Sequence, residues 1–371
     1  MASVYNKNKG KPQDRGELMD KKTTIYDIAR EAGVSTATVT RVMNGDPRVR
    51  ASTREKVQRV IDAHAYTPSA SARSLERGHS RTIGIIMPAV LNPYFTRVYS
   101  IVYDEAAQSG YLCCLFQIQE NSPIPQSIVQ EIIARRLDGV IFAGNIWSSE
   151  RSGLPEALES LRRYMPVVAI CPPATELDCI CVHSDLVGCS RLPVRHLHTL
   201  GHRRIAFIGG SMRTSDASRR GQNFLRELRE LGLTDDPAYH VDCGFDAESG
   251  ERAVLRMLSG LDRRRWPTAM FAFNDLVALG AMKQLKQMGL RLPEDMAIIG
   301  CDNQFFCPYT DPPLTSVDLH PEEMARSAVR ELLFAVENSG SATSSFSMMR
   351  EATLIVRESC GARLGYRRLG E

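Results

Sequence analysis

The side chains best suited to chemistry near the start of the chain are Arg41 and the small residues Thr36 and Ala37 before it. An arginine can donate two parallel hydrogen bonds to one guanine, while threonine and alanine methyl groups can contact a thymine methyl. Apolar Val39 and Val42 alternate with these residues at helical spacing and would face inward. The spacing therefore predicts a short helix whose outer face could read base edges in a DNA major groove.

Two helical patterns and a turn over residues 24–44 would position this face. Thr24 and Asp27 have the spacing of a capping box, Gly33 can adopt the positive φ that ends a helix, and Ser35 is a good N-cap for a second helix. The first pattern has its apolar face at Ile25, Ile28, Ala29 and Ala32. This arrangement is typical of a helix-turn-helix. An ordinary αα-hairpin in a helical domain is the alternative that this stretch alone leaves open.

A third helical pattern follows from Ser52 to about His64. Ser52 and Glu55 have the spacing of another capping box, and Val57 and Ile61 share one face. Three short helices within about forty residues would form a compact bundle with a small core. The sequence thus predicts a small helical domain over residues 23–66.

Residues 66–81, YTPSASARSLERGHSR, connect this domain to the rest of the chain. Pro68 stops any preceding helix and could begin another, so residues 69–76 could form about two helical turns. Isolated helices this short are marginal in water, so the segment would be ordered only when something holds it. A plain interdomain linker is the alternative.

The distribution of charge also changes near residue 80, at the end of this connection. Residues 1–80 contain fifteen Lys or Arg and nine Asp or Glu, a net charge of +6, whereas the whole chain carries +3. Positive charge concentrated at one end suits phosphate binding, although a solvated basic face would look similar. Residues 1–22 are basic and poor in apolar residues, which predicts a disordered tail without the apolar region of a signal peptide.

From residue 82 onward, apolar strand-like runs alternate with helical stretches. Continuous apolar strands of this kind indicate a parallel sheet covered on both faces, and their number over about 280 residues suggests two sheets in two similar lobes. The runs are residues 82–90, 111–116, 139–144, 166–171, 204–210, 269–274 and 296–301.

The order of motifs resembles the lactose-repressor (LacI/GalR) family of bacterial transcription regulators. The head carries T-I-x-D-I-A and G-V-S-T-A-T-V-x-R-V-x-N, the connection carries Y-x-P-S-A and A-R-S-L, and R-T-I-G follows. The core continues the resemblance over residues 196–210, 271–303 and 312–317. The resemblance implies a homodimer that binds a palindromic double-stranded DNA operator under the control of a small-molecule effector.

For DNA, the resemblance implies a hinge helix whose Leu75 wedges into the minor groove and kinks the duplex. Arg41 would contact guanine, Thr36 and Ala37 would choose the half-site, and other polar residues would hold phosphates. Ser71 and Glu76 depart from the family pattern and weaken the hinge interpretation. The implied DNA contacts are Thr24, Tyr26, Ser35, Thr36, Ala37, Thr40, Arg41, Asn44, Thr53, Ser69, Ala72, Arg73 and Leu75.

The resemblance also implies a fold: an all-α helix-turn-helix head plus an α/β core of two Rossmann-like lobes, as in type I periplasmic binding proteins. Three crossovers would join the lobes. The expected organisation is a tail over 1–22, the head over 23–66, the hinge and linker over 67–81, the effector-binding and dimerisation domain over 82–360, and a tail over 361–371. Lobe one would comprise 82–182 and 294–321, and lobe two 183–293 and 322–360.

A ligand in such a core lies between the lobes, at the carboxyl ends of the strands. The resemblance implies that the effector is a polar metabolite, most often a sugar or sugar derivative. Phe95 and Phe245 could instead be core aromatics, Arg220 a surface arginine, and Asp275 the cap of the helix that follows it. The implied effector contacts are Tyr94, Phe95, Arg191, Arg220, Phe245 and Asp275.

Other function classes lack their motifs in this sequence. No strand is followed by G-x-G-x-x-G, and neither a Walker loop nor a G-x-S-x-G elbow is present, which disfavours an enzyme or a cofactor. The ten cysteines form no C-x-x-C pair and lack zinc spacings, although Cys179, Cys181 and His183 lie close together. No apolar run is long enough for a membrane span, so a cytoplasmic location is expected. A sugar-binding solute receptor without a DNA role remains the alternative.

Overall fold

The structure, a computed structural model, describes residues 23–67, 79–88, 90–119, 124–144, 154–171, 179–210, 215–338 and 346–362. The chain divides into two compact units, Met1–Gly78 and His79–Glu371. The predicted basic tail and the implied hinge contacts lie outside the described residues; these contacts are Ser69, Ala72, Arg73 and Leu75.

Within its described residues, 23–67, the first unit contains three helices: α1 (Ile25–Glu31), α2 (Thr36–Met43) and α3 (Ala51–Ala63). The Thr24–Asp27 capping box is confirmed, with each residue's side chain accepting the other's backbone N–H. Gly33 has a φ of +61°, and the Ser35 hydroxyl accepts the Thr38 N–H at 3.2 Å. These short-range bonds fix the turn and the start of α2, as the sequence predicts.

The core of the three-helix unit is small and apolar, as expected. The predicted capping box at Ser52 and Glu55 is wrong, because α3 begins at Ala51 and Ser52 is already inside it. Arg50 occupies the N-cap position and makes no side-chain capping bond. The buried residues are Ile28, Ala29, Ala32, Val39, Val42, Val57 and Ile61.

The first lobe of the second unit is built on a six-stranded sheet in the order β2-β1-β3-β4-β5-β11. Its strands are Thr82–Met87, Leu112–Gln117, Gly139–Ala143, Val167–Ile170 and Ile180–Ser184 (β1 to β5), with Ser347–Arg350 (β11) added at one edge. All neighbours pair in parallel. The helices that follow these strands include Pro93–Gln108 (α4), Gln126–Ala134 (α5) and Leu154–Arg162 (α6).

The second lobe repeats this plan with the order β7-β6-β8-β9-β10-β12. Its strands are Ile205–Ile208, His240–Val241, Ala269–Ala272, Ala297–Cys301 and Thr315–Asp318 (β6 to β10), and Thr353–Ile355 (β12) pairs antiparallel with β10. Its helices are Leu186–Thr199 (α7), Ser215–Glu230 (α8), Ala247–Ser259 (α9) and Asp275–Gln287 (α10). The predicted two-sheet α/β core is confirmed.

The predicted lobe boundaries need correction. β9 pairs with β8, and β10 pairs with β9, so residues 294–321 belong to the second lobe and not to the first. Conversely, helix α11 (Pro321–Glu337) packs on α4 and on strands β3 to β5, and β11 extends the first sheet. The chain therefore crosses between the lobes after β5, after β10 and after β11. Strand pairing decides membership of a lobe, and a sequence read in linear order does not reveal it.

The apolar runs of the sequence supply the cores. The central strands of both sheets are almost entirely buried, as expected for parallel strands covered on both faces, whereas β2, β11 and β12 at the sheet edges are more exposed. Within the described residues, no helix is both long and apolar enough to cross a membrane. The fold thus brings the carboxyl ends of two parallel sheets to face each other across a cleft.

Candidate functional sites

The outer face of α2 presents the side chains that the sequence assigns to DNA. Ala37, Arg41 and Asn44 are exposed, and Thr36 and Thr40 are half-buried. Positions 36, 37, 40, 41 and 44 fall on one side of a helix, opposite buried Val39 and Val42. Of the other implied contacts, Thr24, Tyr26 and Ser35 are exposed and Thr53 is half-buried.

Arg41 is available for an external partner. Among the described residues, no acceptor lies within hydrogen-bonding distance of its guanidinium. The acid that follows α2, Asp46, is bound instead by Arg48, whose Nη2 lies 2.7 Å from its carboxylate. The hydrogen bonds from Arg48 lower the pKa of Asp46 to about 2. Arg48 thus binds the nearby carboxylate, while Arg41 acts on it only through its charge and is exposed on α2.

The second candidate site is a cavity of about 60 Å³ between the two lobes. It lies where strands of both sheets end, as the rule for open α/β sheets predicts. Its wall includes the start of α4, the ends of β4 and β5, the middle of α8 and the residues that follow β8 and β9. Four of the six implied effector contacts line it: Tyr94, Phe95, Arg220 and Phe245.

Aromatic rings form two opposite walls of the cavity. Tyr94 and Phe95 stand edge to face in the first lobe, with ring centroids 5.2 Å apart. Phe245 and Phe273 lie together in the second lobe, with centroids 5.1 Å apart. Asn92 caps α4 through the Tyr94 N–H at 3.0 Å and thereby places this pair at the cavity. Flat apolar faces of this kind suit stacking against a ring-shaped ligand.

Arg220 is the cation of the cavity and is only 5% exposed. Its Nη1 donates to the carbonyl of Phe273 at 2.9 Å, and its guanidinium lies 4.4 Å from the centroid of the Phe273 ring. The interpretation of Arg220 as a surface arginine is therefore wrong. A buried, oriented guanidinium can recognise a ligand oxygen with directional hydrogen bonds.

Asp275 does not line the cavity, which corrects its expected role. It is 0% exposed, and its carboxylate accepts from the Ser316 hydroxyl at 2.6 Å, the Gln304 N–H at 2.7 Å and the Cys307 thiol at 3.1 Å. Burial raises the pKa of Asp275 to about 6. The carboxylate is therefore a structural bridge between α10 and the residues around β9 and β10.

The carboxylate that does line the cavity is Asp302, which the sequence reasoning missed. It directly follows β9, is 7% exposed and has a φ of +101°, a conformation that is strained for a residue other than glycine. The rule that ligands bind at the carboxyl ends of strands could have found it, since the predicted strand ends at Cys301. Asn274, the residue before Asp275, has the two roles that were considered for Asp275. Its side chain caps α10, and it lines the cavity.

Arg191 is exposed on α7 and does not line the cavity. Ser190 beside it points inward and donates to the carbonyl of Arg220 at 3.0 Å. Because successive helical residues differ by about 100° in direction, Arg191 points away from the buried contact that Ser190 makes. The expectation that Arg191 contacts the effector is therefore corrected.

His183 and Ser184, at the end of β5, are further polar residues of the cavity that the effector prediction missed. The His183 Nε2 lies 2.9 Å from the Ser347 hydroxyl, and its Nδ1 lies 3.1 Å from the carbonyl of Ser184. Their position could have been read from the alternation of Cys179, Cys181 and His183, which is typical of a strand. All ten cysteines lie in the described residues and none forms a disulfide, and no metal-binding cluster occurs in that part of the chain.

Comparison with known proteins identifies both units. Residues 24–69 match the model of bacterial regulatory proteins of the lacI family, and residues 194–360 match a periplasmic binding protein-like domain. The Escherichia coli (strain K12) HTH-type transcriptional repressor CytR is 32% identical over 339 residues, covering 91% of this chain and 96% of its own. The chain belongs to the lacI family of bacterial regulatory proteins.

Other lacI-family members support this assignment along the whole chain. The transcriptional repressor PurR of Haemophilus influenzae (strain PittEE) is 32% identical and covers 91% of this chain and 98% of its own. The Lac repressor dimer bound to operator and the anti-inducer ONPF has a TM-score of 0.81 at 25% identity, covering 92% of this chain and 99% of its own. A complex of the regulator CelR with cellobiose has a TM-score of 0.67 at 27% identity, covering 91% and 99%.

Membership of the lacI family settles the class of activity. The relatives are transcriptional repressors, so this protein is a DNA-binding transcriptional regulator and not an enzyme. The helix-turn-helix head of the sequence analysis is confirmed, and the αα-hairpin alternative is wrong. Regulators of the lacI family bind DNA operators and small-molecule effectors, and this protein is a member of that family.

Proposed function

We propose that this lacI-family regulator is a repressor that binds an inverted-repeat operator as a homodimer, and that a small, polar, ring-shaped metabolite in the interlobe cavity controls its affinity for DNA. The observation that carries the proposal is the composition of the cavity wall. Aromatic rings on both sides surround one buried arginine, one buried aspartate and several neutral hydrogen-bonding groups. Such a wall suits stacking combined with directional hydrogen bonds.

A sugar or sugar derivative fits this wall best. Arg220 donates only, while Asp302, Asn274 and Ser184 can accept hydrogen bonds, so hydroxyl groups that donate and accept would find partners of both kinds. The CelR complex, a structural neighbour, contains the sugar cellobiose. A solute receptor without a DNA role is the second candidate, and the match of residues 24–69 to the lacI DNA-binding model disfavours it.

Base reading is assigned to the exposed face of α2. Arg41 would donate to a guanine, and Thr36 and Ala37 would select the neighbouring bases through methyl and hydroxyl contacts. Phosphate contacts would hold the helix in register, and they are assigned to Thr24, Tyr26, Ser35, Thr40, Asn44 and Thr53. The hinge contacts Ser69, Ala72, Arg73 and Leu75 remain predictions from the sequence.

The surface of the second lobe offers a place for the partner subunit. A groove beside α10 is lined by Leu279 and Met282, and the exposed rings of Phe305 and Tyr309 belong to the neighbouring segment. Exposed aromatic side chains of this size are typical of protein interfaces. Each lysine at the groove is paired with an acid, Lys283 with Glu251 at 2.7 Å and Lys286 with Asp311 at 2.6 Å, so the surface carries little net charge against an identical copy.

Selection from random duplexes tests the proposal. We expect the purified protein to enrich an inverted repeat and to bind it with two chains per duplex. Arg41→Ala should weaken binding to the selected site by about 1–3 kcal/mol per half-site while leaving non-specific binding nearly unchanged. Arg59→Ala removes one exposed charge from α3 and is the matched control. Failure to enrich any inverted repeat, or equal losses in the two variants, would contradict the proposal.

A further inference from the structure

Asn303 connects the effector cavity to the rest of the core. It follows Asp302, has a φ of +46° and uses every polar group that it carries. Its N–H donates to the Ser316 hydroxyl at 3.0 Å, and its side-chain amide donates to Asp318 at 2.9 Å. Its side-chain oxygen accepts from Arg357 at 2.7 Å. Because these bonds hold two consecutive residues in left-handed conformations, the turn at Asp302 is rigidly placed within the second lobe.

The remaining polar group of Asn303, its carbonyl, is bound from the opposite lobe. Arg97 of α4 donates to it through Nη1 at 3.3 Å. The same guanidinium is paired with Glu322 of α11, another helix of the first lobe. Arg97 and Glu322 are each about one-third exposed, so the pair is fixed without being fully desolvated. Arg97 therefore joins the first lobe to the turn that carries the cavity carboxylate.

We propose that Arg97 is a positioning residue that latches the two lobes together at Asn303, and that releasing this latch opens the effector cavity. The inference rests on the proposed function only in naming the cavity as an effector site. Opening would enlarge the cavity, whose volume of about 60 Å³ is below the roughly 300–1,000 Å³ of ordinary ligand sites. Movement of the lobes or of the lining side chains would make room for a metabolite.

Two native cysteines of the first lobe can report on opening. Cys171 lies at the end of β4, lines the cavity and is 3% exposed, and its thiol also pairs with Cys181, so opening would raise the exposure of this residue. Cys113 on β2 is 6% exposed and does not line the cavity, so its thiol would be uncovered only when the lobe itself unfolds. The rate of alkylation of each cysteine by iodoacetamide, measured by peptide mass spectrometry, separates opening of the cleft from loss of the fold.

The variant that removes the latch is Arg97→Met. Its matched control is Arg326→Met, because Arg326 joins the same two helices through Glu105 at 2.9 Å, and neither of those residues belongs to the second lobe. For the full-length protein without metabolite or DNA, we expect Cys171 alkylation to become about threefold or more faster in Arg97→Met, as for loss of one charge-assisted hydrogen bond. We expect no such change in Arg326→Met, and no change at Cys113 in either variant.

Two results would overturn the latch. One is an equal rate at Cys171 in the two variants, and the other is a rise at Cys171 that Cys113 follows in proportion. Arg97→Lys should restore part of the wild-type rate, because lysine keeps a donor that can reach either Glu322 or the Asn303 carbonyl but cannot hold both as a guanidinium does. If Cys171 is alkylated as fast in Arg97→Lys as in Arg97→Met, the positive charge alone contributes nothing to holding the lobes together. Since no DNA or metabolite is present, failure here is distinct from failure of the proposed function.

Discussion

The two units of this regulator place their functional side chains in opposite ways. In the head, the described residues assigned to DNA are exposed or half-buried, and capping bonds within four residues fix the helix that carries most of them. In the core, the cavity residues are mostly buried, and they come from segments more than two hundred residues apart, such as Asn92 and Asp302. A surface that meets a large partner can be built locally, whereas a cleft that encloses a small ligand needs the whole fold.

This difference has an energetic consequence. The head depends on seven buried apolar side chains, whereas the core has two covered sheets with extended apolar clusters. Small domains bury a lower fraction of their surface and are correspondingly marginal. We therefore expect the head and the core to unfold in separate transitions, with the head the less stable of the two.

The largest effect is expected from Val39→Asp. Val39 is fully buried in the head, and an unpaired carboxylate there should cost on the order of several kcal/mol, enough to unfold the head and abolish operator binding. Ala37→Asp puts the same charge on the exposed face of α2 and should leave the head folded. Hydrogen exchange over residues 24–64, with the melting of the core as reference, distinguishes the variants. A core that melts together with the head in Val39→Asp would contradict separate units.

An intermediate effect is expected from Asp275→Asn, through the pH dependence of the stability of the core. Burial raises the pKa of Asp275 from 3.8 to about 6, so the folded state retains its proton at pH values where the unfolded chain has lost it. The contribution of Asp275 to the free energy of unfolding is therefore highest below about pH 4. It falls by about 3 kcal/mol as the pH rises to just above 6. The variant has no proton to lose.

Denaturant unfolding of wild type and Asp275→Asn at about pH 4.5 and about pH 7 checks this prediction. Between the two pH values, wild type should lose more unfolding free energy than Asp275→Asn, so the variant should compare more favourably at about pH 7 than at about pH 4.5. A difference that stays constant would show that the buried carboxylate does not titrate there. An equal change in Asp104→Asn, at an exposed position of α4, would show that burial is not the cause.

The smallest effect is expected from Ser35→Ala. Ser35 caps α2, and loss of an N-cap hydroxyl costs about 1 kcal/mol. Ser52→Ala is a sharp control, because the sequence pattern predicts a cap at both serines but the structure gives that role only to Ser35. Hydrogen exchange of the head should show destabilisation in Ser35→Ala and almost none in Ser52→Ala. Equal losses would restore the capping box that the structure rejects.

The sequence could predict local structure far better than the lining of the cleft. Periodicity and capping residues predicted the helices of the head, and apolar runs predicted seven of the twelve strands found in the described residues, because these features depend on near neighbours in the chain. The assignment of β9 and β10 to a lobe failed because it depends on strand pairing. The resemblance implied Asp275, whereas Asp302, which also follows a strand, was missed. Only the packing around Ser316 shows that the Asp275 carboxylate is enclosed away from the cavity.

The central claim is that the cleft and the DNA-reading head are coupled, and reciprocal binding tests it most directly. A metabolite that raises the melting temperature of the core is titrated into the protein with and without the selected operator. The account predicts that the operator changes the metabolite's dissociation constant, by about 5- to 150-fold if the coupling is typical, and that saturating metabolite changes operator affinity by the same factor. A metabolite that binds in the cleft and leaves operator affinity unchanged would contradict it.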